Sequence, residues 1–363
     1  MSKSVFILAF IIATRFFGLF IILPVFSGEA LNLNGANEFL LGLTIGIYAI
    51  AQMIFQTPFG ALSDKIGRKI TIFLGLTIFI IGSLICTVAS DIFVMLFGRF
   101  IQGCGAVGAV ATAMIADLTN EQNRSKAMAI IGAMIGLSFI ISLVVAAPIC
   151  SKFGLAGLFY LSAFLSVICA LLLLVLPKEI TKLKTRKIKF ALLFSRSNLL
   201  ILNLANLVQK MFMSIMFFII PLYFARNTNL ANLNQIYEIC GVFGLICMAI
   251  AGMFGDKKGK ALLMLSFVLF AFSFLSFGLN LVLIYVSIVV FFIAFCLNEP
   301  ILQSLASKSA PVRFRGEMLG VFTSFGYLGS FLGGLIAGIF ALNLLIICAL
   351  ICVVLLFLLK KLR

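Results

Sequence analysis

The sequence GALSDKIGRK at residues 60–69 is the stretch that decides the fold. It stands between two long apolar runs, and its two glycines allow a tight turn and a close approach of the backbone. Asp64 is an anion placed to meet a cation or a helix N-terminus, and Arg68 offers a planar fork of donors to a carboxylate. The same spacing of glycine, aspartate, glycine and a basic residue returns in GMFGDKKGK at residues 252–260. The recurrence predicts a chain built from two related halves.

Runs of apolar residues surround both stretches and are long enough to cross a lipid bilayer. Of 363 residues, 63% are hydrophobic and 10% are charged, and a soluble protein of this size could not bury so much apolar surface. About 20 apolar residues cross a hydrocarbon core of roughly 30 Å, and the lack of water there requires the backbone to pair within helices. The sequence therefore predicts an all-α membrane protein with twelve transmembrane helices. We number these spans 1 to 12, at residues 4–26, 37–59, 70–89, 92–116, 126–149, 155–177, 197–222, 231–254, 261–279, 281–306, 316–340 and 342–359.

Lysine and arginine are divided unequally between the two sides of the predicted membrane. Of the 27, the two termini and the loops after even-numbered spans carry 22, the loops after odd-numbered spans carry two, and three lie within spans. Cytoplasmic loops carry such an excess, so both termini are expected in the cytoplasm. The longest connection, at residues 178–196, holds seven of these cations. It is expected to be a basic linker between two six-helix bundles, at residues 1–177 and 197–363.

Composition also disfavours several other classes of protein. The net charge of +16 follows from the cytoplasmic loops and does not indicate nucleic-acid binding. The nine cysteines have no metal-site or disulfide spacing, so neither a metal nor any other cofactor is expected. No nucleophile–base pair is visible, so no enzyme is predicted. The chain has no histidine, which leaves aspartate or glutamate, and more remotely lysine, as the carrier of any proton.

Several motifs carry a family resemblance. The loop at residues 60–69 resembles the hallmark loop between helices 2 and 3 of the major facilitator superfamily, and RFIQG at residues 99–103 resembles that family's RxxQG element. Segments at residues 38–76, 117–128 and 15–24 look like the YajR-like drug-efflux branch. The similarity covers most of the first half and thins in the second. Members of that branch carry a soluble domain after span 12, and because this sequence ends there, regulation by such a domain is not expected.

The resemblance implies the major facilitator fold of two six-helix bundles and an efflux of small molecules driven by the proton gradient. It implies that Asp64, Arg68 and Asp117 form a charge network that clamps the two halves when the protein opens outward, with the start of span 11 near Gly316 as a further partner. It ties Arg99 to proton coupling and to holding the first half together, and the second role alone is the alternative. The expected conformational motif comprises Gly60, Asp64, Gly67, Arg68 and Asp117.

Span 5 departs from the family pattern. Antiporters of the family usually carry a Gly-Pro and a Gly-Gly motif there, whereas only Gly132 and Gly136 remain in this chain. Ser142-Leu143 and Ala146-Ala147 stand in the other places. The departure weakens the prediction of antiport and keeps open a proton-coupled symporter that imports a small nutrient. A membrane sensor on a transporter fold is a more remote alternative.

Four charged residues lie within predicted spans: Arg15, Arg99, Lys210 and Glu299, in spans 1, 4, 7 and 10. The resemblance places these four spans around a central cavity. A charge inside the membrane is costly and marks a functional site by default. Glu299 is the candidate proton carrier, with Arg99, because an acid that alternates between a buried and a cation-paired environment can load and release a proton. A static ion pair is the alternative for Glu299, and three cations against one acid favour an anionic or neutral solute.

Polar side chains extend these positions along helix faces. Asn203, Asn206 and Lys210 recur at i, i+3 and i+7, and Gln52 and Gln56 continue a stripe that begins at Tyr48. Such stripes must face protein or water, and hydrogen bonds between helices are the alternative to a solute site. The predicted substrate cavity comprises Arg15, Gln52, Gln56, Gln102, Asn203, Asn206, Lys210, Asn298 and Gln303.

The partners follow from these expectations. They are a small-molecule substrate, protons and the lipid bilayer, with no nucleic acid. The chain is expected to be a monomer in a bacterial inner membrane. The glycine-rich span 11 is expected to pack closely or to hinge, with the spacing Gly329/Gly333 suited to tight contact between helices.

Overall fold

The computed structural model describes residues 3–119, 121–176, 197–227, 230–310, 315–340 and 344–362. The chain divides into two compact units, Met1–Lys187 and Ile188–Arg363. The predicted basic linker at residues 178–196 lies outside the described residues, and the bundle boundaries placed on either side of it stay a prediction. Each unit is built from helices, as the apolar runs predicted.

The first unit contains seven α-helices and one short 3₁₀ helix among the residues that the structure describes. α1 packs against α7, α3 packs against α5, and α4 packs against both α5 and α7. The helices are α1 Lys3–Phe20, α2 Phe26–Glu29, the 3₁₀ helix Ala30–Asn32, α3 Glu38–Ile66, α4 Arg68–Thr87, α5 Ile92–Cys104, α6 Gly108–Asp117 and α7 Glu121–Val175.

The second unit contains five helices in its described ranges. α9 packs against α10 and α12, and α8 packs against α11 and α10. The helices are α8 Ser197–Asn227, α9 Leu230–Ser276, α10 Leu281–Ser309, α11 Arg315–Phe340 and α12 Leu344–Lys360.

Short side chains start and end these helices as the sequence requires. The Asn37 side chain accepts from the Leu40 amide at 2.9 Å and begins α3, and Asp91 accepts from the amides of Phe93 and Val94 at 2.8 and 2.9 Å and begins α5. α3 ends at Gly67, whose φ of +98° suits a residue without a Cβ. α4 begins one residue later, so the two helices meet at Gly67 and residues 60–66, predicted as part of a loop, belong to α3.

Nine helical segments in the described ranges are long and apolar enough to cross a membrane. α9 supplies two of them, Asn232–Gly255 and Lys257–Ser276, which meet beside non-helical backbone at Lys258, and α5 with α6 supplies one, Ile92–Ile115. Another, Ile130–Val175, has 46 residues and holds two spans, which meet at Gly154 with a φ of +63°. Two shorter apolar helices, Ser4–Phe20 and Leu344–Lys360, complete twelve spans. The prediction of an all-α membrane protein with twelve transmembrane helices is therefore confirmed.

Several predicted spans differ from the observed helices, and α3 continues to Ile66, seven residues past the predicted end of span 2. The helix of span 1 ends at Phe20 rather than at residue 26. Span 4 was predicted as one helix over residues 92–116, but the chain leaves helical geometry at residues 105–107, between α5 and α6. A Cβ on Gly105 would lie 2.4 Å from the carbonyl oxygen of Gly75, so α4 and the break are in direct backbone contact. The break has no signal in hydropathy because the residues around it are apolar.

A lysine fastens the last helix of each unit at its C-terminal end. Lys69 donates through Nζ to the carbonyl oxygens of Leu174 and Leu176 at 3.0 and 2.9 Å. Lys260 donates in the same way to the carbonyl oxygens of Lys360 and Leu362 at 3.0 and 2.5 Å. Carbonyls at the end of a helix lack partners within it, so each lysine satisfies groups that would otherwise be unpaired.

Close packing of α8 against α11 brings two helix backbones together. A Cβ on Gly329 would lie 2.0 Å from the carbonyl oxygen of Leu207, and one on Gly333 would lie 2.3 Å from that of Met211. These two glycines of α11 therefore pack tightly, as their spacing indicated. Gly320, earlier on the same helix, has open space where a Cβ would be.

Candidate functional site

The conformational motif is assembled in the first unit at the turn between α3 and α4. Arg68 forms ion pairs with Asp64 at 2.8 Å and with Asp117, the last residue of α6, at 3.3 Å. Its guanidinium also donates to the Ser63 hydroxyl, which donates in turn to the carbonyl oxygen of Gly60 at 2.6 Å. The structure thus brings together the three charged residues of this motif.

The two glycines of the motif differ in what the structure requires of them. Gly67 has the left-handed φ that ends α3, whereas a Cβ on Gly60 would meet no atom within 4 Å. Gly60 contributes its carbonyl to Ser63, a contact that any residue could make. The clamp between the two halves and its partner near Gly316 stay predictions. The side chains at residues 311–317 lie outside the part of the chain that the structure describes.

Two buried arginines stack on one tyrosine ring inside the first unit. The guanidinium carbon of Arg99 lies 4.6 Å from the centroid of Tyr48, and that of Arg15 lies 5.5 Å from the same centroid and 4.1 Å from the ring of Phe79. Arg99 is 1% exposed and Arg15 is 5% exposed. Neither arginine has an ion-pair partner among the described residues, so aromatic faces and neutral oxygens stabilise both charges.

Arg15 caps the break between α5 and α6. It donates to the carbonyl oxygen of Gly105 at 2.6 Å, to that of Gln102 at 3.4 Å, and to the hydroxyl of Tyr48. Because α5 ends at Cys104, these carbonyls lack helical partners and carry the negative end of the helix dipole. The contacts of Arg15 are therefore those of a helix cap, and its predicted place in a substrate cavity stays a prediction.

Arg99 and Gln102 form a second polar chain across α5. Arg99 donates to the side-chain oxygen of Gln102 at 2.5 Å, and the amide of Gln102 donates to Ser83 on α4 at 2.9 Å. A Cβ on Gly103 would lie 2.6 Å from the carbonyl oxygen of Tyr48, which explains why glycine follows this glutamine. The second terminal nitrogen of Arg99 is buried and has no hydrogen-bond partner in the described part of the chain.

The stripe on α3 reaches this cluster with one of its two glutamines. Gln52 donates to the Tyr48 hydroxyl at 3.4 Å and is 4% exposed. Gln56, one turn further along, is half-buried. Both stay predicted residues of a substrate cavity.

The second unit contains an ion pair within its spans. Lys210 of α8 donates to both carboxylate oxygens of Glu299 on α10, each at 2.8 Å. Gln209 donates to Oε2 of the same carboxylate at 2.8 Å, and Gln303 donates to Oε1 at 3.3 Å. Lys210 also lies over the ring of Phe295 at 5.3 Å. The structure therefore joins three of the predicted residues, Lys210, Glu299 and Gln303, and adds one that the sequence pattern did not select, Gln209.

The other predicted polar residues of the second unit bond helices together. Asn206 donates to the carbonyl oxygen of Phe322 on α11 at 2.7 Å, and Asn298 donates to the Ser266 hydroxyl on α9 at 2.9 Å. Asn203 is 1% exposed, and its side-chain oxygen has no hydrogen-bond partner among the described residues. The bonds of Asn206 and Asn298 are of the interhelical kind that was the alternative to a solute site.

Comparisons with known proteins agree with this arrangement. The family model of the Major Facilitator Superfamily matches residues 5–334. The chain is 34% identical over 346 residues to the inner membrane transport protein YajR of Escherichia coli, covering 90% of this chain and 75% of that protein. It is 28% identical over 369 residues to the quinolone resistance protein NorA of Staphylococcus aureus, covering 93% and 90%.

A solved structure shows the same fold. The structure of a D-xylose-proton symporter superposes with a TM-score of 0.81 over 98% of this chain and 97% of that one, at 16% identity. At that identity the likeness concerns the fold alone. The family match and the identity to YajR carry the assignment, and they agree with the resemblance that the motifs at residues 60–69 and 99–103 indicated. The chain belongs to the Major Facilitator Superfamily, a family of membrane transporters rather than enzymes.

Proposed function

We propose that this transporter exports small molecules, drugs or metabolites, in exchange for protons by alternating access. The observation that carries the proposal is the Lys210–Glu299 pair, an acid and a base held within the spans of the second unit. An ionised carboxylate keeps the ammonium of Lys210 neutralised, and a protonated one releases it. Proton uptake at Glu299 therefore changes the charge of the site by one unit, which couples proton movement to the affinity for a charged solute.

Two further features support the proposal. The relative NorA is named a quinolone resistance protein, which favours the export of a drug-like molecule over the import of a nutrient. The ion pairs of Arg68 with Asp64 and Asp117 join the start of α4 to the end of α6, as a group that responds to a conformational change would. The proton gradient is then the energy source, and no cofactor takes part.

The charge of the solute follows from the buried cations. Lys210 and Glu299 neutralise one another, whereas Arg15 and Arg99 leave two positive charges in the interior of the first unit. Positive potential in a low-dielectric interior extends beyond the contacting atoms. An anionic or neutral solute is therefore the expected substrate. We further propose that the transporter is a monomer in a bacterial inner membrane, with both termini in the cytoplasm.

One experiment tests the coupling. The protein is reconstituted in liposomes with a pH-sensitive dye inside, and candidate solutes are offered to the wild type and to Glu299→Gln. We expect the variant to lose solute-driven proton movement while the wild type shows it. Glu238→Gln is the matched control, because Glu238 is an exposed acid of the same unit bonded to Asn234 at 2.7 Å. Full proton movement in Glu299→Gln would refute the assignment of Glu299.

A symporter that imports a small nutrient is the second candidate. Span 5 favours it, because only Gly132 and Gly136 remain of the motif usual in antiporters. The same liposomes separate the two functions: solute and protons moving in opposite directions indicate export by exchange, and movement in the same direction indicates symport. A sensor would show neither flux.

A further inference from the structure

Gln209 is a third member of the Lys210–Glu299 site. It precedes Lys210 on α8, is 0% exposed, and donates through Nε2 to Oε2 of Glu299 at 2.8 Å. Gln303 also donates to this carboxylate, at 3.3 Å, but its side chain is exposed. The two glutamines thus make the same kind of bond from different environments, and only that of Gln209 is closed to solvent.

The carboxylate of Glu299 is saturated with donors. Lys210 reaches both oxygens, Gln209 reaches Oε2 and Gln303 reaches Oε1, which gives four hydrogen bonds. An ionised carboxylate offers about four acceptor sites and no donor. This arrangement suits the ionised form of Glu299 and contains no acceptor for a proton on that group.

One acceptor in contact with the site is unused. The side-chain oxygen of Gln209 is buried and has no hydrogen-bond partner among the described residues. A buried acceptor without a partner is unfavourable. A half-turn about the last side-chain bond of Gln209 exchanges its oxygen and nitrogen, and it brings the oxygen to the position from which Nε2 now contacts Oε2 of Glu299.

We propose that Gln209 is a positioning residue that serves both protonation states of Glu299. With Glu299 ionised, the amide nitrogen donates to Oε2. With Glu299 protonated on Oε2, the carboxamide is reversed and its oxygen accepts that proton in a hydrogen bond. Gln209 thereby stabilises the neutral acid while Lys210 is released, and the site holds a proton without leaving its O–H unpaired.

The charged and titratable surroundings of Glu299 are few in the described part of the chain. Lys210 of α8 is the charged group in contact with it. Cys296 lies on the same helix, and Cys247 approaches Cys296 from α9. A protonated Glu299 therefore has Gln209 as its buried amide acceptor, with Gln303 on the exposed side.

Infrared difference spectroscopy between acidic and alkaline buffer tests the proposal on the full chain in liposomes. The band of the protonated carboxyl that disappears in Glu299→Gln belongs to Glu299. In Gln209→Met, a side chain of similar length without hydrogen-bonding atoms, we expect this band to move to the frequency of a free acid. Gln235→Met is the matched control, in which the band should keep its position, because Gln235 is an exposed glutamine of α9 and is not among the donors to Glu299.

The outcomes distinguish this proposal from the proposed function on which it rests. A Glu299 band that keeps its position in Gln209→Met overturns the role of Gln209 and leaves Glu299 as the proton carrier. The absence of any Glu299 band at acidic pH overturns both. Should Gln209→Met not fold, the wild-type band decides alone, because a free-acid frequency there contradicts the proposal. Solute-driven proton flux in Gln209→Met should fall about tenfold, the factor that corresponds to one buried hydrogen bond.

Discussion

The contact between α8 and α11 leads to a quantitative prediction for Gly329→Ala. The added Cβ would lie 2.0 Å from the carbonyl oxygen of Leu207, 2.7 Å from its carbonyl carbon and 2.9 Å from its Cα. All three atoms belong to a helix backbone, which cannot rotate out of the way as a side chain would. The two helices must therefore separate by more than an ångström, or the variant must lose this contact.

The expected cost is at the upper end of the range for overpacking, about 3 kcal/mol. For a unit of this size, that free energy corresponds to a fall in Tm of roughly 6–12 °C. The rate of transport should fall by more than the loss of folded protein alone would cause, since Leu207 is two residues from Gln209 and three from Lys210. A displaced α8 moves both donors away from Glu299, whose bonds with them are all 2.8 Å long.

Thermal unfolding in detergent measures the first effect, and flux in liposomes measures the second. Gly320→Ala is the matched control, because it lies on the same helix with no atom within 4 Å of an added Cβ. Alanine is the better helix former, so this control should be as stable as the wild type or slightly more stable. Equal Tm values for Gly329→Ala and Gly320→Ala would refute the argument from backbone contact.

Three further predictions concern charged residues. Lys210→Met leaves the Glu299 carboxylate without its cation and should lower the free energy of unfolding by about 3 kcal/mol. The double variant Lys210→Met/Glu299→Gln should recover much of that loss. A double-mutant cycle of denaturation measurements checks this, and an equal loss in the single and the double variant would contradict it. Arg15→Lys cannot reach both the Gln102 and Gly105 carbonyls and should cost about 1–3 kcal/mol in thermal unfolding, a cost that an unchanged Tm would disprove. Burial raises the pKa of Glu29, so the folded protein holds that proton more tightly than the unfolded chain and loses stability as pH rises through the ordinary range of glutamate. Glu29→Gln should therefore raise Tm at neutral pH and leave it unchanged below pH ~4, where Glu29 is protonated in both states, and a gain of equal size at both pH values would speak against this assignment.

Hydropathy and charge were sufficient to predict the number of spans, because lipid imposes a fixed length and an apolar composition on each helix. They could not locate the break between α5 and α6. Residues 104–107 are apolar or glycine, like the helices on either side. The break depends on Arg15 and Gly75, which are 90 and 30 residues away along the chain. A contact of that range leaves no local pattern.

The sequence identified the buried charges individually but did not determine their pairing. Lys210 and Glu299 were each evident as charges within apolar spans, and only the structure shows that they meet. The sequence pattern did not select Gln209, because the helical spacing of Asn203, Asn206 and Lys210 defines a different face of α8. The rule that would have found it is simpler: a polar side chain in a membrane span needs a partner. By contrast, Asp64 and Arg68 are four residues apart, so their ion pair was predictable from local geometry.

The two lysines at the helix ends have a mechanical consequence. Lys69, at the start of α4, is bonded to the end of α7, and Lys260, two residues after the non-helical backbone at Lys258 in α9, is bonded to the end of α12. The end of the last helix in each unit therefore cannot move away from this lysine without the loss of two hydrogen bonds. A force applied at the end of α12 is carried directly to α9 beside Lys258, and one applied at the end of α7 is carried to the junction of α3 and α4 at Gly67. The two repeated sequences, at residues 60–69 and 252–260, thus also hold the last helix of their own unit in place.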